Sequence, residues 1–152
     1  MYPIAIVVSR FNEGVTEGLL RGAQEYLNEQ GISVAESQIF HAPGAFEIPL
    51  IAQKLAKTGR FSGIIGLGCV IKGDTAHFEF ISLAAAMGTL QAMLSTEVPI
   101  SFGILTTYAE LQAFERSANN SHNKGREAAA ACLDTIRILE RISSLPRDGK
   151  SV

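Results

Sequence analysis

The chain has no tryptophan and only two cysteines in 152 residues. Cys69 and Cys132 lie far apart, one in a strand pattern and one in a helix pattern. That spacing excludes a disulfide-stapled scaffold and reads as two buried free thiols in a reducing, cytoplasmic setting. An excess of either charge is also missing. The formal net charge is −2 and the basic residues are scattered without a stripe, which argues against a nucleic-acid surface. No apolar window is expected to reach the length of a membrane span, so no membrane partner is expected. The opening Met1-Tyr2-Pro3-Ile4 carries no basic leader, and no secretory signal is expected. His41, His77 and His122 fall on three separate connections without metal-ligand spacing, so no metal is expected.

What is present is a chain rich enough in apolar residues, 47%, to build one packed domain over 1–152, with 143–152 as a flexible tail. Ile4 to Val8 is a continuous apolar run, as a strand buried on both faces requires. Asn12 is placed to cap the following helix, whose Val15, Leu19, Ala23 and Leu27 recur at helical spacing up to Gly31. Val34 to Phe40 reads as a weaker strand, and a helix starts near Phe46 with Pro49 in its first turn. Phe61 to Ile71 is the third strand. Phe78 to Leu94 is a helix with too few polar residues for a solvent face, so either it is central in the chain or its outer side meets another subunit. Pro99 to Thr106 is the fourth strand, Thr107 to Ser117 a short helix, and Lys124 to Ile142 a long one. Four strands alternating with helices predict an α/β fold: a three-layer αβα sandwich on a four-stranded parallel sheet, flavodoxin-like in class.

Ligands of open α/β sheets bind beyond the carboxyl ends of the strands. Three segments fall there: Ser9 to Asn12, His41 to Glu47, and Lys72 to His77. Phe11 offers a flat ring for stacking, Glu47 a carboxylate for hydroxyls, Gly73-Asp74-Thr75 backbone donors for an anion, and His77 a proton-transfer group. Taken singly, each has a plainer reading: Phe11 as core, Glu47 as a helix-dipole complement, His77 as an exposed residue on an ordinary turn. Together they describe a site for a polyhydroxylated aromatic ligand and a phosphate. Arg116 and Lys124 flank a polar break, either as phosphate contacts or as solvated surface charges. Phe102 sits inside the fourth strand; if it faces a ligand, that ligand lies in a neighbour's site.

These segments resemble one family closely. Ser9-Arg10-Phe11-Asn12, Pro43-Gly44-Ala45-Phe46-Glu47-Ile48-Pro49, Gly68 to Phe78, Phe102 to Thr107, Glu115-Arg116 and Asn123-Lys124-Gly125 are similar to the motifs of 6,7-dimethyl-8-ribityllumazine synthases. The resemblance implies a transferase of riboflavin biosynthesis. It condenses 5-amino-6-(D-ribitylamino)uracil with 3,4-dihydroxy-2-butanone 4-phosphate, releases phosphate and water, and needs no cofactor. By position it implies Phe11 on the pyrimidine, Ala45, Phe46 and Glu47 on the ribityl chain, and Cys69, Val70 and Ile71 against the pyrimidine. It implies Asp74, Thr75 and Arg116 on the phosphate, His77 as the catalytic proton shuttle, and Phe102 and Lys124 completing the site across a subunit boundary. It also implies homopentamers, in some members an icosahedral shell of sixty subunits, and an association with riboflavin synthase.

The chain departs from the family after Arg116. The usual Ala-Gly-x-Lys-x-Gly-Asn-Lys-Gly is here Ser117-Ala118-Asn119-Asn120-Ser121-His122-Asn123-Lys124-Gly125. Alanine in place of glycine costs stability where the backbone needs positive φ. The chain also begins almost at its first strand, which favours a pentamer over a shell. A non-catalytic lumazine- or flavin-binding relative and an archaeal-type riboflavin synthase are the competing readings. A signalling domain of the same class lacks its acidic acceptor here.

Overall fold

The computed structural model describes residues 2–147. Four strands form one parallel sheet in the order β2-β1-β3-β4, with β1 at Ile4–Ser9, β2 at Ile39–Ala42, β3 at Gly63–Ile71 and β4 at Ile100–Thr107. The helices are α1 at Glu13–Glu29, α2 at Ile48–Lys57, α3 at His77–Thr96, α4 at Glu110–Ser117 and α5 at Lys124–Ser143. β1 is buried on both faces because it is central, which is why it reads as an unbroken apolar run. On one face Leu19, Leu27, Ala129 and Leu133 of α1 and α5 pack on Ile6, Ile65 and Leu67. On the other, Ile48, Ala52, Ala85 and Ala92 of α2 and α3 pack on Val7, Ile64 and Ile104. This is the expected three-layer arrangement.

The strand order reverses between β1 and β3, so a crevice opens between their carboxyl ends. β3 also outruns β1. Val8 pairs with Leu67, while β3 continues to Ile71 alongside Thr107 of β4. The last three residues of β3 therefore stand above the end of β1 as a wall.

Several boundaries differ from the sequence expectation. The second strand begins at Ile39, not Val34, because Gln38 folds its side chain into the local turn. Its Oε1 accepts from the Ala35 N–H (2.9 Å) and its Nε2 donates to the Ile4 carbonyl (3.2 Å). A 3-10 turn at Glu36–Gln38 takes the place of the extended backbone, and His41 lies within β2. The fourth helix begins at Glu110, held by Gln112 Oε1, which accepts from the N–H groups of Tyr108 and Ala109. Residues 148–152 of the expected tail lie outside the described residues.

α3 corrects one expectation and sharpens another. It runs 20 residues with a mean hydropathy of 1.3, so by length and composition it does reach what a membrane span needs. Its Ala85, Thr89 and Ala92 face the core, while Phe80, Leu83, Met87, Leu90 and Leu94 are all at least half exposed. Those five recur at alternating spacings of three and four, the seam by which one helix packs against another. The apolar outer face is thus a single continuous stripe.

Candidate active site

At the crevice, Asn12 does not cap α1 with its side chain. It adopts a left-handed conformation (φ 61°) and turns its amide inward, where Nδ2 donates to the Cys69 carbonyl at 3.0 Å. The bond ties the end of β1 to the overhanging end of β3. The Ser9 hydroxyl accepts from the Phe11 N–H at 3.1 Å, and Phe11 is left 67% exposed at the mouth. A flat aromatic ring held open by its own backbone is positioned to stack.

The opposite wall is brought in by small residues. A side chain at Gly66 or Gly68 would press on Ile48, and one at Gly68 would also meet Ala45. Their absence lets the 3-10 turn Ala45–Glu47 lie close against β3. Glu47 is half-buried beside Gly44, and its N–H donates to the Gly44 carbonyl. Beyond β3 the chain turns, the Thr75 hydroxyl accepts from the His77 N–H at 3.4 Å, and His77 opens α3.

These elements enclose one cleft of about 580 Å³ lined by Phe11, Ala45, Phe46, Glu47, Cys69, Val70, Ile71, Thr75 and His77. Nine of the sequence candidates therefore meet. Asp74 occupies the same exposed turn but is not part of the lining. The cleft holds three titratable side chains, Glu47, Cys69 and His77. Burial pushes the Cys69 thiol up to about 11, so it remains protonated and is no nucleophile at neutral pH. His77 is exposed at the lining of the cleft, and an imidazole is a side chain able to carry protons.

Phe102, Arg116 and Lys124 are elsewhere. They line a second, larger cavity of about 890 Å³ at the other edge of β4, together with Thr107, Tyr108, Glu115 and His122. The Phe78 and Tyr108 rings, 5.9 Å apart at 47°, stand between the two, with Phe78 lining the first and Tyr108 the second. Within one chain, then, the cationic residues and the His77 cleft are not brought together.

Arg116 pairs with no carboxylate among the described residues; its Nη1 donates to the Gln112 carbonyl at 3.1 Å. Lys124 Nζ sits 3.1 Å from Glu127 Oε1. Thr107 is 5% exposed, and its hydroxyl has no partner among the described residues. The sequence reading missed Asn12 as the tie between strands and missed Thr107, Tyr108 and His122 in the second cavity. Asn12 depends on where β3 ends, and the others on where β4 and the polar break come together.

The family model described as 6,7-dimethyl-8-ribityllumazine synthase matches residues 2–140. The 6,7-dimethyl-8-ribityllumazine synthase 1 of Caulobacter vibrioides is 61% identical over 139 residues, covering 91% of both chains. The synthases of Nitratidesulfovibrio vulgaris and Salinibacter ruber are 48% and 46% identical over 138 residues, covering 91% of this chain and 88% of theirs. The chain belongs to the 6,7-dimethyl-8-ribityllumazine synthase family.

Proposed function

We propose that this chain catalyses the condensation for which its family is named, in riboflavin biosynthesis. The 5-amino group of 5-amino-6-(D-ribitylamino)uracil adds to the ketone of 3,4-dihydroxy-2-butanone 4-phosphate. Water leaves as the imine forms, phosphate is eliminated, and the ribitylamino nitrogen closes the ring with loss of a second water. The observation that carries this reading is the joining of Phe11, Glu47 and His77 in one crevice at the strand reversal. The cleft offers a stacking ring, a carboxylate for hydroxyls and a proton carrier, which match a pyrimidine, a ribityl chain and an imine in turn.

In this reading Phe11 stacks on the pyrimidine and the strand end Cys69–Ile71 meets its edge. Ala45, Phe46 and Glu47 hold the ribityl chain, and His77 moves the protons. Asp74, Thr75 and Arg116 take the phosphate; Phe102 and Lys124 close the pyrimidine side. Arg116, Phe102 and Lys124 come from a neighbouring subunit, which accounts for two separate cavities in one chain. The stripe from Phe80 to Leu94 supports a ring of subunits packed through α3, and we take that ring to be a homopentamer working in the cytoplasm.

Mixing the protein with both substrates tests the reaction. Lumazine fluorescence rising together with stoichiometric phosphate release is expected. Tight binding of ready-made lumazine with neither signal would leave only a binding protein.

A further inference from the structure

The cavity that holds Arg116 and Lys124 also holds His122, a residue to which neither the motifs nor the proposed reaction gives a part. Its position is fixed by the loop. Asn120 Oδ1 accepts from the His122 N–H at 2.8 Å, and Asn120 Nδ2 donates to the Glu115 carbonyl at 3.2 Å. One residue on, Asn123 is 2% exposed and anchored to the Gly18 and Ala118 carbonyls at 3.1 and 2.9 Å. The imidazole therefore hangs from a short segment pinned at both ends.

Charge decides what it can do there. Glu115 and Arg116 face the cavity from α4, Lys124 and Glu127 from α5, and Tyr108 from the segment before α4. The two cations and two carboxylates cancel, and Glu127 already occupies Lys124 at 3.1 Å. Whether the cavity as a whole is positive then rests on His122. Histidine is the side chain that ordinarily changes charge between pH 5 and 8.

We propose that His122 is a second basic group of the phosphate half-site, acting with Arg116, and that its protonation tunes affinity for the phosphate-bearing substrate. The inference rests on the proposed reaction and deepens it. Imidazolium would strengthen the hold on phosphate at the acid end of the working range and release it as pH rises. A substrate phosphate also loses its second charge below about pH 6, so wild type and variant are compared at equal pH, where that effect is shared.

The test is the KM of each substrate for the wild type, His122→Gln and His122→Lys between pH 6.5 and 8.5, with inorganic phosphate as a competitive inhibitor. One surface charge predicts a phosphate-substrate KM about fivefold higher in His122→Gln at pH 6.5, with the gap closing by pH 8.5. His122→Lys is expected to keep the low value throughout, and the pyrimidine KM to stay put. A gap that does not change with pH, or an equal shift in the pyrimidine KM, overturns the assignment. If the wild type forms no lumazine, the functional reading fails separately. Phosphorus-31 NMR titration of the wild type and His122→Gln with inorganic phosphate then still decides for or against His122.

Discussion

Asn123 rests directly on Gly22. A side chain on Gly22 would overlap the Asn123 amide, whose Nδ2 donates to the Gly18 and Ala118 carbonyls while Oδ1 accepts from the Arg126 N–H at 3.1 Å. The same face of α1 meets the loop twice more: a side chain on Gly18 would overlap the Ser117 carbonyl, and one on Gly125 would overlap the Leu19 backbone. α1 thus serves as a smooth bed for the α4–α5 connection, which bears His122 and is flanked by Arg116 and Lys124. The usual family glycines at 118 and 122 are dispensable here. Among the described non-glycine residues only Asn12 and Glu97 have positive φ, so Ala118 and His122 carry no backbone strain.

Gly22→Ala is expected to destabilise the fold by about 1–3 kcal/mol through overpacking. Asn123→Ala is expected to cost about 0.5–2 kcal/mol for the lost helix cap. Combined, the two should cost less than their sum, because the shortened residue 123 makes room for the new methyl group. Urea melts of the four proteins measure this; strict additivity would show that the two residues do not press on one another.

His77→Ala should slow turnover without abolishing it. A positioned acid–base group contributes about a hundred- to ten-thousand-fold, while holding two reactants together contributes roughly 7–11 kcal/mol that the variant keeps. Turnover at saturating substrates is the measurement, and an undiminished rate would remove the proton-shuttle role.

The fold was legible in the sequence because buried parallel strands and amphipathic helices carry distinct periods, and the motifs that build the His77 cleft each follow a strand directly. What was not legible depends on contacts distant in sequence. Asn12 looks like a helix cap until β3 places the Cys69 carbonyl within its reach. Val34 looks like strand until Gln38 bonds back to Ile4. His122 looks like loop until α4 and α5 converge around it. The division of the candidates into two cavities is of the same kind, and only Phe102, embedded in β4, hinted at it.

The thiols make a prediction about pH. Burial raises Cys69 to about 11 and Cys132 to about 12. In the unfolded chain both would ionise near about 8.5, so between those values the unfolded state gives up protons that the folded state keeps. Their contribution to stability is complete below about pH 8.5 and declines as pH rises toward 11. Native protein at pH 8 should resist alkylation at both positions and react fully in denaturant. The fall in stability from pH 9 to 11 should be shallower in Cys132→Ala than in the wild type.

Arg116→Ala is expected to raise the KM for the phosphate substrate and leave pyrimidine affinity nearly unchanged. Among the described residues the guanidinium is bonded only to the Gln112 carbonyl, which leaves it donors to fork onto a phosphate. Loss of pyrimidine binding alone, followed by fluorescence titration, would contradict the assignment.

The two-cavity arrangement can be tested by mixing crippled chains. One variant carries Glu47→Ala with His77→Ala and spoils the cleft; the other carries Arg116→Ala with Lys124→Ala and spoils the cationic cavity. If each working site takes one half from each of two neighbours, both variants alone are nearly inactive. Co-assembled in equal amounts, random placement around a ring of head-to-tail contacts restores about one site in four. A single-chain site can never be rebuilt this way, because every chain in the mixture carries damage. Co-expression of differently tagged variants, isolation of the doubly tagged assemblies and measurement of lumazine formation give the answer. Activity near a quarter of wild type supports sites shared between chains, and activity no higher than the better variant alone confines the site to one chain.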